Sequence, residues 1–456
     1  MNLVTQATES LVRAAIIAGV SVAVSGSLSA WLRTRTGRTR TVAGALLLAP
    51  FFTPALLISY AFSRFALELV ISPWSHEALY VGVLALKLIP VAVVVRTLLP
   101  SPLPPEAWHS FRLMGSVPWW SRASFHLRGA GVGPWIAGGS VFLVAFSDFE
   151  LASLWSVRTW TVALFDAQTG GLALTETLRL AVSPLAVELA VLALIYRWAG
   201  RAARPSLARF DRAANTPPTF AMRLSWLYLA TSAALVCLLP LTIVASQAAT
   251  GFRTLTESFI FSSEFGASLL FAAGAAVFAD ALARFGRKRP STALLLATPG
   301  LVGALTVSLF VLTLFQTTSL HAAYDTPLPL LLALTIVLLP LALLLSGLRS
   351  VPFTSLHVAR QLGSRQLVWE METRPHFAAF GLIFCCAWFD FTASSILAPV
   401  GLTPVFVRLH NLAHYGQTAV LSAMMFAAFT FPVLALLFAG LTARLLGPRR
   451  ASAFRC

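Results

Sequence analysis

The sequence is poor in charged residues, and this shortage argues against a soluble fold. Only 11% of its 456 residues are Asp, Glu, Lys or Arg, whereas 57% are hydrophobic, and the mean hydropathy is +0.80. A soluble domain carries about 25% charged residues. The apolar residues form repeated runs of roughly 18 or more, long enough to cross a bilayer as helices, without the alternation typical of an outer-membrane barrel. The composition therefore predicts an all-α polytopic membrane protein.

Residues and motifs of catalysis and metal binding are also scarce. The cysteines lack the spacing of a metal site, so packing roles are expected of them. They are Cys237, Cys385, Cys386 and Cys456. The motifs H-E-x-x-H and G-x-S-x-G do not occur, and neither does the nucleotide-binding loop G-x-x-x-x-G-K-[ST]. We therefore expect no enzyme, no cofactor and no metal site.

The apolar runs and the loops between them predict a topology of about eleven spans. The runs lie near 10–32, 42–64, 79–99, 133–155, 179–199, 223–246, 266–284, 292–316, 327–348, 376–397 and 418–445. Lys and Arg concentrate in alternate loops, such as RTRTGRTRT at 33–41 and RFGRKRPS at 284–291. Because basic loops stay in the cytoplasm, we expect the N-terminus outside and the C-terminus inside. The net charge of +16 thus reflects topology and does not indicate nucleic-acid binding.

Short segments of the chain recur at an offset of 248 residues. Polar heptapeptides, SFRLMGS at 110–116 and VARQLGS at 358–364, have this spacing, and so do two copies of ALLLA. The paired loop residues are His109 and His357, Arg112 and Arg360, and Gly115 and Gly363. A basic, proline-containing stretch at 200–221 predicts a cytoplasmic linker. We therefore expect two parallel repeats, with five spans in 1–199 and six in 222–456.

The first loop, HSFRLMG followed by nine residues and FHLR, resembles a motif of permease subunits of ATP-binding-cassette importers. That motif is Glu-Ala-Ala, three residues, Gly, nine residues, and Ile-x-Leu-Pro, so Phe125 and Leu127 fall at its Ile and Leu positions. The segment APVGLTPVFVRLHNLAHYG at 398–416 is similar to fused two-repeat permeases for ferric iron and, more distantly, thiamine. The chain departs from the motif at His109, which replaces Glu, and at Arg128, which replaces Pro. The second loop is also shorter.

The resemblance implies a fold, a location and two protein partners. The fold would be the type I importer permease fold in the cell inner membrane. A cytoplasmic ATP-binding-cassette ATPase dimer would dock on the two loops, and an extracytoplasmic substrate-binding protein would deliver the substrate. The implied coupling residues are His109, Arg112, Gly115, His357, Arg360 and Gly363. The sequence leaves open the substrate, the function of the second loop, and pairing with a second permease.

Three charged residues inside apolar runs are candidate site residues. Asp148 and Asp390 lie in corresponding segments, AFSDFELASLW and AWFDFTASSIL. Acids within spans face a cavity or a partner, so both are candidates for the substrate path, and a structural role stays open. Lys87 is a lone cation in the third run, at the depth that ~1.5 Å per residue gives for Asp148. The two could form a structural ion pair, or Lys87 could extend to the interface. Thr335 stands at the corresponding position of the second half.

Parallel repeats also occur in secondary transporters. The alternative function is therefore a proton-coupled transporter that uses Asp148, Asp390 or Asp280. Uptake that requires ATP and a partner chain would indicate the importer. Uptake that a protonophore abolishes would indicate the alternative.

Overall fold

All the regular elements that the structure describes are helices, and the chain is a multi-pass membrane protein. The structure, a computed structural model, describes residues 3–63, 73–99, 110–111, 113–114, 118–121, 124–125, 131–202, 219–257, 260–286, 290–317, 319–348, 361, 369, 373–414 and 418–446. The prediction of an all-helical polytopic protein is confirmed. The membrane in which it lies and the orientation of its termini remain predictions.

The chain forms two compact units, Met1–Thr242 and Ile243–Cys456. The first unit contains the helices α1 (Leu3–Arg33), α2 (Gly37–Phe52), α3 (Ala55–Ser63), α4 (Pro73–Leu98), α5 (Gly133–Phe146), α6 (Glu150–Leu154), α7 (Trp160–Thr169), α8 (Leu174–Ala202) and α9 (Thr219–Ser232), and a π-helix (Ala233–Leu238). The boundary between the units falls within α10 (Leu239–Glu257).

The second unit follows the same alternation of long and short helices. Its helices are α11 (Ile260–Gly286), α12 (Pro290–Ala297), α13 (Ala304–Thr317), α14 (Leu328–Leu348), α15 (Arg374–Trp388), α16 (Thr392–Leu397), α17 (Val405–His414) and α18 (Thr418–Leu446). Short 3-10 turns lie at Pro299–Leu301 and Ser319–Ala323.

The number of helices long and apolar enough to cross a membrane is smaller than the sequence predicts. In the part of the chain that the structure describes, eight helices are long and apolar enough to cross a membrane, and the pair α2–α3 adds a ninth if it is counted as one bent span. The prediction of about eleven spans is corrected because three apolar runs are divided into shorter helices. These are 42–64, 292–316 and 376–397.

Proline and glycine explain two of these divisions. Helices α2 and α3 meet at an angle of 69°, where Thr53 is extended (φ −71°, ψ 121°) immediately before Pro54. Proline disfavours helical backbone in the residue before it. In the run 292–316, α12 gives way to the Pro299–Leu301 turn, and Gly303 has a left-handed φ of +95°. Both divisions follow an ALLLA segment.

The core of the first unit is built on α1, which packs against α4 and α5. Helix α9 joins this core: Trp226 contacts Trp31 edge to face at 5.7 Å, and the Tyr228 hydroxyl donates to the Leu86 carbonyl at 3.0 Å. The sequence-based division assigned residues 222–456 to the second half. In the structure, the part of that stretch before residue 243 belongs to the first compact unit.

The second unit is packed closely by small residues on α11, which contacts α14 and α15. Five alanines of α11 are fully buried there: Ala272, Ala275, Ala276, Ala279 and Ala283. In membranes, small residues let helix backbones approach each other and gain dispersion contacts. Helix α10 approaches α18 in the same way, because a Cβ on Gly251 would overlap the carbonyl of Ala419.

Candidate functional site

The six predicted coupling residues lie outside the described residues. They are His109, Arg112, Gly115, His357, Arg360 and Gly363, and their roles stay predictions. Two neighbouring phenylalanines of the first loop are described. Phe111 and Phe125 stack with nearly parallel rings and centroids 3.8 Å apart. The segments on either side of Gly115 therefore contact each other.

Asp148 lies where the fourth predicted span is interrupted. Helix α5 ends at Phe146, and α6 begins at Glu150. The Asp148 carboxylate accepts a hydrogen bond from the Ala152 backbone N–H (3.2 Å) and another from the Tyr80 hydroxyl of α4 (3.0 Å). Its backbone carbonyl accepts from the Thr161 hydroxyl at 2.7 Å. The acid thus holds the first turn of α6, whose N–H groups have no partner within the helix.

Asp390 has the same position in the second unit. It lies between α15 and α16, and its carboxylate accepts from the backbone N–H groups of Ala393 (3.0 Å) and Ser394 (3.2 Å). The turns before the two acids also match. The backbone N–H of Asp148 donates to the Ala145 carbonyl at 3.4 Å. In the same way, the backbone N–H of Asp390 donates to the Ala387 carbonyl at 3.4 Å. Both acids therefore cap a short helix at an interruption.

The capping role of Asp390 predicts which substitutions it tolerates. Asp390→Ala removes the acceptor and should lower the stability of the purified protein by about 1 kcal/mol. Asp390→Asn keeps an acceptor oxygen, and because Asn caps helices about as well as Asp it should have little effect on stability. Thermal melting of both variants in detergent measures the difference. Equal losses for Asn and Ala would mean that the charge of Asp390, and not its capping oxygen, stabilises the fold.

The predicted direct ion pair between Lys87 and Asp148 is not formed. The ammonium of Lys87 instead donates to the backbone carbonyl of Thr53 at 2.9 Å, whereas the Asp148 carboxylate is held by Tyr80 and Ala152. Thr53 is available because α2 ends there. Lys87 still lies within electrostatic range of Asp148 and of Glu150. The predicted structural role is thus shared among several partners.

Lys87, Thr53, Tyr80, Asp148 and Cys237 form a polar cluster at irregular backbone in the first unit. The Thr53 hydroxyl and the Cys237 thiol are 3.4 Å apart, and Cys237 belongs to the π-helix. Two interrupted helices and a π-helix thus supply this polar cluster. Irregular backbone at membrane depth is tolerated where it is buried in protein or lines a cavity, and π-turns often mark functional sites.

The corresponding positions of the second unit are less polar. Thr335 stands at the register of Lys87, and its hydroxyl donates to the Leu331 carbonyl of its own helix at 2.6 Å. Leu328 stands at the register of Tyr80. The two units therefore share the acid at the interruption but differ in what surrounds it.

Each unit also carries an ion pair that the sequence analysis missed. Arg13 of α1 binds Glu77 of α4 through two hydrogen bonds of 2.7 and 2.8 Å. In the second unit, Arg408 and Glu264 lie 3.3 Å apart, and the Glu264 side chain is only 8% exposed. The arginine of the second pair occurs within the segment at 398–416 that resembles the iron permeases.

The polar cluster and the two ion pairs hold charged side chains within the helical part of the chain. In the part of the chain that the structure describes, no cluster of three His, Cys, Asp or Glu could bind a metal ion. Tyr80 was missed because a tyrosine within an apolar run resembles a packing residue.

No protein-family model, curated protein or solved structure matches the chain.

Proposed function

We propose that the chain is the permease subunit of an ATP-driven importer of the ATP-binding-cassette type, with ferric iron as its cargo. The observation that carries the proposal is the loop frame around Gly115, repeated around Gly363. A loop of this kind transmits rigid-body movement from a partner to the membrane helices. The partner must hydrolyse the ATP, because the sequence has no nucleotide-binding loop.

The matched interruptions at Asp148 and Asp390 support a two-repeat permease fold. Transport paths are often built from discontinuous helices, whose free backbone groups face the path. Here the two acids satisfy N–H groups of α6 and α16, so each interruption keeps a defined shape in the membrane. We propose that the interrupted helices line the path and that selectivity for the cargo resides in a separate binding protein.

The hydrogen bonds of the three candidate acids argue against the proton-coupled alternative. Asp148 and Asp390 each accept backbone hydrogen bonds, and Asp280 is paired with Arg284 at 2.5 Å. Protonation of any of them would weaken a structural contact.

The test is the energy source of uptake. Cells with and without this chain are given labelled ferric iron, and uptake is measured after ATP depletion or after addition of a protonophore. We expect uptake that needs the chain, is lost on ATP depletion, and persists for a short time after the proton gradient collapses. Loss with the protonophore while ATP is maintained would favour the proton-coupled transporter. Iron uptake that does not depend on the chain would reject the cargo.

A further inference from the structure

Glu188 is a fully buried acid in the middle of a membrane span. It lies in α8, about 20 Å from either end of the segment Leu174–Gly200 at ~1.5 Å per residue. Its exposed fraction is 0%, and neither carboxylate oxygen has a hydrogen-bond partner within the described residues. None of the contacts described above uses this residue.

The helix α8, which carries Glu188, packs against α5. Val191 and Ile195, which follow it at helical spacing on α8, lie against Gly139 of α5. Helix α1 packs on α5 beside them and also touches α8. In the described residues, the Ser21 hydroxyl of α1 is likewise fully buried and without a hydrogen-bond partner. Polar atoms on two adjoining helices thus lie in the core without satisfied hydrogen bonds.

Within the described residues, no charged group lies in hydrogen-bond distance of the Glu188 carboxylate. The Arg96 guanidinium of α4 reaches α1 beside Ser21, but there it donates to the Val22 carbonyl at 3.1 Å and to the Ser25 hydroxyl at 3.4 Å. Helix α5 contains no titratable residue, and α7 contributes only Asp166. Helix α1 carries Glu9 and Arg13 in its first half, and these two side chains form an ion pair. Arg13 also binds Glu77 of α4. An ionised carboxylate without a partner in such surroundings is strongly disfavoured.

We propose that Glu188 is a proton-binding site of the first unit. Its carboxyl group holds a proton while α1, α5 and α8 are packed, and it releases that proton to solvent when the packing opens. The bound ligand is the proton itself, and no oxidant, metal or second substrate is involved. This inference does not depend on the proposed transport activity.

Proton binding at Glu188 links folding to pH with a definite sign. In the unfolded chain a solvated Glu is ionised above about pH 5, so folding takes up a proton above that pH. Stability then decreases as the pH rises, because the folded state binds more protons than the unfolded state. For this one proton, the equilibrium constant for folding falls about ten-fold for each unit by which the pH rises.

The experiment measures the melting temperature of the full-length protein in detergent between pH 6 and pH 9, for wild type, Glu188→Gln and Glu188→Met. Other groups contribute equally to all three slopes, so the difference between slopes isolates Glu188. We expect the wild type to lose stability with rising pH more steeply than either variant. Glu188→Met should be at least as stable as wild type at pH 8, because an apolar side chain replaces an unpaired polar one. Glu176→Gln is the matched control, since Glu176 is exposed on the same helix. It should keep the wild-type slope.

Three results would overturn the proposal. Equal slopes for wild type and both Glu188 variants would show that no proton is bound there. Stabilisation of wild type by added sodium, absent from Glu188→Gln, would show an ionised carboxylate that binds a metal cation. Failure of Glu188→Gln to fold under conditions in which Glu176→Gln folds would contradict the proposal, because Gln has the shape of a protonated Glu and likewise carries no charge.

Discussion

Replacing Lys87 by methionine is expected to lower the stability of the protein by about 2 kcal/mol, because the buried carbonyl of Thr53 would lose its hydrogen-bond donor. The ammonium donates to the Thr53 carbonyl at the end of α2 and attracts Glu150 and Asp148. Methionine retains the length of the side chain but leaves that carbonyl without its donor. It also removes the charge of Lys87 from the vicinity of Asp148 and Glu150.

A double-mutant cycle shows which acid depends on Lys87. Folded yield and melting temperature are measured for Lys87→Met alone and combined with Glu150→Gln or Asp148→Asn. Because Asp148 and Glu150 both lie within electrostatic range of Lys87, neutralising either acid should recover part of the loss. Thr335→Val, at the corresponding register of the second unit, is the control and should have a small effect. Strict additivity in both cycles would show that Lys87 interacts with neither acid.

Replacing Gly251 by alanine is expected to destabilise the second unit by about 2 kcal/mol, the usual cost of forcing extra atoms into a close-packed core. A Cβ at this position would overlap the backbone carbonyl of Ala419 and also approach Ala423. Backbone atoms cannot move aside as the end of a side chain can. The methyl group therefore has to push α10 and α18 apart.

Gly266→Ala is the matched control for Gly251, because a Cβ on Gly266 meets no atom within 4 Å. Alanine is the better helix former by about 1 kcal/mol, so this control should be neutral or stabilising in the same melting measurement. An equally mild effect of Gly251→Ala would contradict the close approach of α10 and α18.

The sequence predicted the helical membrane class well because apolar composition alone imposes it. The sequence did not predict where the membrane helices are interrupted. Pro54 and Gly303 mark two of them, but nothing in the segment around Asp148 resembles a helix breaker until the carboxylate is seen to cap α6. The expected Lys87–Asp148 pair came from counting depth along straight helices, and the bend after Thr53 offers a nearer acceptor. Glu188 was overlooked, although an acid at the centre of a span is itself unusual.

The π-helix at Ala233–Leu238 changes the angular phase of the long helix in which it lies. A π-turn closes its hydrogen bonds over one more residue than an α-turn, and each residue of an α-helix turns the chain by about 100°. Residues after Leu238 are therefore displaced around the axis from where a helical wheel drawn from Thr219 would put them. An apolar face that runs straight along such a helix therefore has its residues spaced one position further apart in the sequence where it crosses the π-turn. Deleting one residue between Ala233 and Leu238 would remove the extra residue of the π-turn and rotate the side chains of α10 by about 100° around the helix axis.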